Sequence, residues 1–217
     1  MIVSSRSEQE YRAFFALGDD DLAGRVLDCS AGASGFTAAV GAAGGDVTAV
    51  DPVYADPQAL RDTVERSAAA GAALVDAHDD RFTWSWYGSP QRHRALRDAA
   101  LATFLEDLAA RPERYVVGSL PDLPFPDGAF DLALCSHLLF TWADVLDAPW
   151  HHAALTELLR VAHEVRVFPL VQRGAGEPVG FLPALLDTLR DEGRCVQVVP
   201  VPYEFQVGAD RMLVVRR

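Results

Sequence analysis

The chain has 217 residues, half of them apolar, which is enough for a hydrophobic core of α/β size without covalent staples. It carries 31 acidic against 19 basic residues, a net charge of −12, which disfavours nucleic acid and anionic membrane surfaces as partners. All 19 basic residues are arginine and Asn is absent too, so a Walker A lysine, Schiff-base catalysis and an N-glycosylation acceptor are excluded.

In chain order, residues 7–17 place Tyr11, Phe14 and Phe15 at helical spacing behind Ser7, with Glu10 three residues on, the pattern of a capping box. Val26 and Leu27 enter a first strand that runs into the small-residue loop "DCSAGASGF". A Gly/Ala-rich helix is expected over 35–43, and "DVTAVD" (46–51) alternates as a second strand. A helix over 57–71 is opened by Pro57 and stopped by Gly71. Residues 72–90 are irregular, and Phe82, Trp84 and Trp86 at period two suggest a short strand or an extended lid. With Tyr87, these aromatics either cover a site or pack against the sheet edge.

The stripe Leu96, Ala99, Ala100, Thr103, Phe104, Leu108 predicts a helix over 91–110, ended by Pro112, with Arg92, Arg94 and Arg97 on a solvated face. Strands over 115–118 and 130–135 follow, then a helix over 150–161, a strand over 164–171, a helix over 178–192, a strand over 195–203 and the final "RMLVVRR". His151 and His152 point about 100° apart on a helix, which makes a surface pair rather than a metal site. Cys29, Cys135 and Cys195 lie far apart in apolar runs and read as buried thiols of a reducing compartment. The polar start of the chain lacks a signal-peptide core and no run is apolar enough to span a bilayer, so a cytoplasmic location is expected.

Strands alternating with helices predict right-handed crossovers and a mostly parallel sheet covered on both faces. The last two strands are joined by "EFQVGAD", too short for a helical crossover, and should form an antiparallel hairpin. Residues 1–217 read as a single domain, with 72–114 as a candidate lid or insertion. In an open parallel sheet the ligand sits outside the carboxyl ends of the strands, so the loop after the first strand is the prime site. Asp51, ending the second strand, is placed to accept from vicinal ribose hydroxyls.

On these residues the sequence resembles the class I S-adenosylmethionine-dependent methyltransferases. "VLDCSAG" is similar to their first motif, in which an acid, here Asp28, precedes a glycine loop; "AVDPVY" is similar to their second strand with its ribose-binding acid, Asp51. "GSLPDLPFPDGAFDLALCSHLLF" is similar to the stretch from their adenine-contacting turn through the fourth strand. The resemblance implies a Rossmann-like three-layer α/β sandwich with a seven-stranded sheet of order 3-2-1-4-5-7-6 and a C-terminal antiparallel hairpin. It implies S-adenosylmethionine as cofactor, held by Asp28, Ser30, Ala31, Gly32, Asp51, Pro52, Ser119, Leu120, Ser136 and His137.

The chain departs from the family's glycine loop by keeping only the central glycine, Gly32, between Ser30 and Ser34, whose hydroxyls can also meet a ligand's amine or hydroxyls. Ser119 stands where many relatives carry an acid, leaving its hydroxyl or the backbone of Leu120 to meet the adenine. His137 is either a general base or a packing residue beside the cofactor pocket. No catalytic residue is specified, because the cofactor supplies the driving force and the protein supplies alignment. The acceptor is expected to be a small molecule, since the acidic surface disfavours RNA and the missing Asn excludes the Asn-Pro-Pro-Tyr type of site. Two rivals stand beside this reading. One is a binder of the same cofactor without transferase activity; the other is a nicotinamide oxidoreductase, which the incomplete GxGxxG and the terminal hairpin disfavour.

Overall fold

The computed structural model describes residues 3–217, with all side chains in that span except those of residues 57, 58 and 79. Its elements are α1 (Glu8–Phe14), β1 (Arg25–Cys29), α2 (Phe36–Ala42), β2 (Asp46–Val50), α3 (Pro57–Ala77) and α4 (Pro90–Ala110). There follow β3 (Tyr115–Val116), β4 (Phe130–Ser136), α5 (Ala148–Val161), β5 (Ala162–Phe168), α6 (Leu182–Asp191), β6 (Cys195–Pro200) and β7 (Arg211–Arg216). The strands form one sheet in the order β3-β2-β1-β4-β5-β7-β6. Pairing is parallel from β3 through β5, while β7 lies antiparallel between β5 and β6. This is the expected α/β sandwich, with the expected hairpin at its end.

Side-chain alternation along the strands divides the core into two layers. Leu27, Cys29, Ala133, Cys135, Val165, Val167, Leu213 and Val215 face α5 and α6. Val26, Leu132, Leu134, Phe168, Met212 and Val214 face α1 and α2, where Tyr11, Phe14, Phe15 and Phe36 meet them. Burial of each such side chain contributes roughly 1.5–3 kcal/mol. Asp28 has the same parity as Val26, which turns its carboxylate toward α1 instead of into the all-apolar layer.

The helix starts follow their caps. Ser7 and Glu10 form the reciprocal box at α1, and Ser89 and Asp147 cap α4 and α5. Gly71 does not stop α3, which continues to Ala77, because alanines on both sides outweigh the cost of about 1 kcal/mol for one internal glycine. Residues 72–77 are therefore helix, and the period-two aromatic segment makes a single antiparallel bridge, Phe82 to Gln206, instead of a strand. The Thr83 N–H donates to Phe205 O at 2.7 Å, which fastens this segment to the connection between β6 and β7.

Two side-chain expectations are corrected. Cys29 and Cys135 are buried, but Cys195 is exposed because it opens the edge strand β6. His151 is fully buried, its ring stacked on Phe140 and its Nδ1 2.8 Å from Asp147 O, whereas its neighbour His152 reaches Glu192 at the surface. Among the described residues no helix is long and apolar enough to cross a membrane, and no group of three or more His, Cys, Asp or Glu is placed to hold a metal ion.

Candidate functional site

The strand order reverses between β1 and β4, and there the parallel register sets Cys29 beside Val50 on one side and Cys135 on the other. Ser30, Asp51 and Ser136 thus leave the sheet side by side at its carboxyl edge, where ligands of such sheets bind. Ser30 and Gly32 share a left-handed φ of +59°, so the serine keeps the backbone path that a glycine would take. A side chain at Gly32 would be crowded as well: a Cβ there would stand 3.1 Å from Val3 Cγ1 and 3.3 Å from Ser4 O.

The close approach that the small loop permits is used by the chain itself. Ala33 N–H donates to Ser4 O and Gly35 N–H to Arg6 O, which lays segment 3–6 across the loop. The remaining N–H groups go to Val50 O (Ser30 and Ala31), Ala31 O (Ser34), Asp51 Oδ2 (Gly32) and Ser34 Oγ (Phe36). Ser34 is thereby a buried cap of the turn into α2 and does not present its hydroxyl to a ligand, contrary to the expectation for it.

Asp28, at the root of the loop, is fully buried and accepts from the Tyr11 hydroxyl at 2.8 Å. Its Oδ2 is buried with no hydrogen-bond partner among the described residues. Burial pushes its pKa up to about 7, against the opposing pull of the Tyr11 and Ser34 hydroxyls. Ser136 lies beside the same Tyr11 hydroxyl.

Asp51 holds the loop from the other side. Its Oδ2 accepts from Gly32 N–H at 3.0 Å and its Oδ1 from Val53 N–H at 2.9 Å, while the Tyr54 hydroxyl donates to Gly32 O at 2.7 Å. Burial raises its pKa, and the Val53 and Gly32 N–H groups oppose that rise. Pro52 is exposed beside it. After β3, Ser119 is exposed and its carbonyl accepts from Asp122 N–H, whereas the Leu120 side chain belongs to the core with Val50 and Leu123.

His137 turns away from this group. Its φ of +57° and the bond from its N–H to Phe168 O set the ring edge-on to the stacked pair Phe14 and Phe168, in the wall of a cavity of about 210 Å³. The cavity is closed by segment 3–6, α3, α4 and the connection between β6 and β7. Phe205 forms part of its wall, sandwiched between the rings of Phe82 and His93. The aromatics of 82–87 are thus packed against this connection, and Tyr87 is fully buried.

Behind that wall lies a cluster of charges that the reading of the sequence did not assemble. Glu10 is fully buried and accepts from Ser7 N–H at 2.8 Å and from the Tyr87 hydroxyl at 2.5 Å, and Tyr87 in turn lies 2.8 Å from the Tyr203 hydroxyl. Arg97 Nε stands 3.0 Å, and Arg6 Nη1 3.5 Å, from Glu10 Oε1. Burial alone would raise the Glu10 pKa, but Arg97 and Arg6 hold it below the ordinary carboxyl value. Burial, then Arg97, pushes His93 down to about 3; burial, then Arg6 and Arg97, pushes His137 well below the usual range. Both imidazoles are therefore neutral at physiological pH.

Arg97 corrects the expected solvated face. Arg92 is exposed and Arg94 pairs with Asp76 in solvent, but Arg97 belongs to the buried row His93, Arg97, Ala100, Phe104. That row, at spacings of four, three and four residues, was the signal available in the sequence. Arg6 and Glu10 also stand four residues apart, across the start of α1.

The strand order and the terminal hairpin are those of the Rossmann-like fold that S-adenosylmethionine-dependent methyltransferases share. Residues 91–164 match the sequence profile of a family described as methyltransferase domain. Over its whole length the chain is 26% identical to the uncharacterized protein MJ0045 of Methanocaldococcus jannaschii, covering 96% of that protein. Among solved structures, magnesium protoporphyrin IX methyltransferase from Synechocystis PCC 6803 with bound SAH superposes with a TM-score of 0.51 at 12% identity, over 97% of this chain and 81% of that one. Mitomycin 7-O-methyltransferase superposes with a TM-score of 0.51 at 17% identity, over 97% of this chain and 53% of that one.

Proposed function

We propose that the protein transfers the methyl group of S-adenosylmethionine to a small-molecule acceptor. The observation that carries this reading is the Asp51 carboxylate at the end of β2, one strand from the switch point, oriented by Gly32 and Val53 N–H. Each of its oxygens has accepted one backbone bond and keeps a lone pair, which suits it to the vicinal hydroxyls of a ribose. Asp28 Oδ2, a buried acceptor with no partner among the described residues, fits the same ligand's ammonium, directly or through water. Ser30, Ala31, Gly32 and Pro52 line the approach, Ser119 and the Leu120 backbone meet the adenine, and Ser136 with His137 borders the acceptor.

When bound, the cofactor supplies an electrophilic methyl on a sulfonium, so the protein's part is alignment and exclusion of water. His137, kept unprotonated by burial and by the nearby guanidiniums, offers a ring nitrogen to the acceptor's O–H or N–H and orients its lone pair. We read residues 1–217 as one domain in which α3 and α4 cover the acceptor side.

Calorimetric titration with S-adenosylmethionine and S-adenosylhomocysteine tests the cofactor, and transfer of a labelled methyl group into metabolite extracts tests the activity. Micromolar binding accompanied by a labelled product is the expected result. Tight binding with no product from any extract would favour a binder without transferase activity, and no binding of either compound to the folded protein would overturn the proposal.

A further inference from the structure

Among its buried groups, the cavity beside His137 holds more positive charge than they balance. Arg6 and Arg97 face one carboxylate, Glu10, while His93 and His137 are neutral, which leaves one net positive charge in the wall. Arg94 at the rim is paired with Asp76, and Asp98 is exposed to solvent. Arg6 is only 8% exposed, and its Nε is buried with no hydrogen-bond partner among the described residues. An unbalanced guanidinium in such a place is costly unless a ligand completes it.

We propose that this cavity is the receptor for a small organic carboxylate, the acceptor's own acid group, held by the free N–H groups of Arg6 beside the Glu10–Arg97 pair. A monoanion neutralises the single excess charge, whereas a phosphate dianion would reverse it. The planar fork of a guanidinium matches a carboxylate in two parallel hydrogen bonds. Most of the remaining wall is apolar, with Val75, Phe82, Phe168 and Phe205 prominent beside the hydroxyls of Ser67 and Tyr203, so the acid's body is aromatic or aliphatic. At about 210 Å³ the space falls below the roughly 300–1,000 Å³ of pockets for drug-sized ligands, which limits that body to the size of one ring or a short chain.

The inference rests on the methyltransferase reading for the word acceptor only; carboxylate recognition stands or falls separately. The full chain is titrated, by calorimetry and saturation-transfer NMR, with benzoate, phenylacetate and hexanoate and with their three amides. At least one acid is expected to bind tenfold or more tightly than its amide. Arg6→Gln, which leaves Glu10 paired with Arg97, should bring that ratio to about one with the fold retained. If the variant does not fold, the acid-to-amide ratio of the unaltered protein decides alone. Ratios near one for all three pairs in the unaltered protein would overturn the proposal. So would competition between S-adenosylhomocysteine and the acid, with both weakened equally by Arg6→Gln, since the carboxylate received would then be the cofactor's. Acid preference without S-adenosylhomocysteine binding would keep the receptor and remove the methyltransferase reading.

Discussion

The two halves of the sheet's carboxyl edge handle their polar groups in opposite ways. Over β1 and β2, every backbone N–H from Ser30 to Phe36 is bonded within the chain, and the arrangement is fixed by short local geometry. Over β4 and β5, the cavity gathers charged side chains from distant segments and leaves buried donors without partners. The first half is a finished backbone framework whose side-chain acceptors are two carboxylates, Asp28 and Asp51. The second is an unfinished side-chain site whose completion needs a ligand's charge.

The strongest way to break this contrast is Glu10→Gln, which keeps one of the two acceptor oxygens that serve Ser7 and Tyr87 and removes the charge between Arg6 and Arg97. Because two guanidiniums lose their counterion at once, stability should fall by about 5 kcal/mol, the upper end for breaking a buried pair. Chemical denaturation measures it, and a loss under 1 kcal/mol would mean that the cavity half is not held by charge.

On the framework half, Asp28→Asn should change the pH dependence of stability. The Asp28 pKa stands at about 7 when folded against an ordinary 3.8. Between these values the folded protein keeps a proton that the unfolded chain has lost, so stability declines as pH rises through the window and levels off above it. A shift of that size corresponds to roughly 4 kcal/mol. Buried neutral His93 and His137 add stability over the same window in both proteins, so between pH 4.5 and 8 the denaturation midpoint of the unaltered protein should fall relative to that of the variant. A decline of equal size in both would place its origin elsewhere.

Asp51→Ala sharpens the comparison more gently. Loss of the ribose acceptor should weaken S-adenosylhomocysteine binding by tenfold or more, about 1–3 kcal/mol for hydrogen bonds to a charged group. Unchanged affinity in a folded variant would remove Asp51 from the site. The smallest effect is expected at Arg94→Gln. Its pair with Asp76 is solvent-exposed, so stability should move by less than about 0.5 kcal/mol. A larger loss would show that the cavity's charge balance extends to its rim.

The framework half was legible in the sequence because its determinants are local. The strand alternation and the loop after Asp28 each lie within a few consecutive residues, as do, on the cavity side, the Ser7–Glu10 box and the short connection that marked the terminal hairpin. What escaped was long-range or a matter of rotation about a helix axis. The stripe read for α4 ran through Ala99 and Thr103, and both are exposed; turning it by one residue brings Arg97 inward with Phe104. Segment 3–6 lying on the loop has no local signature, since the bonds from Ala33 and Gly35 go to carbonyls that any residue carries. Nor could the sequence foretell that Asp28 would meet a phenol, because that depends on α1 crossing the face to which strand parity turns the carboxylate.

The placement of β7 bears on how the protein is made. It follows β6 in the chain but sits between β6 and β5, so β6 emerges from synthesis before the strand that must separate it from the sheet. Until residues 211–216 are available, β5 presents an open edge of unpaired backbone groups, and the apolar positions that Leu213 and Val215 will fill are empty. Nascent chains halted before β7 should therefore be the species most dependent on chaperones and most prone to edge-to-edge association.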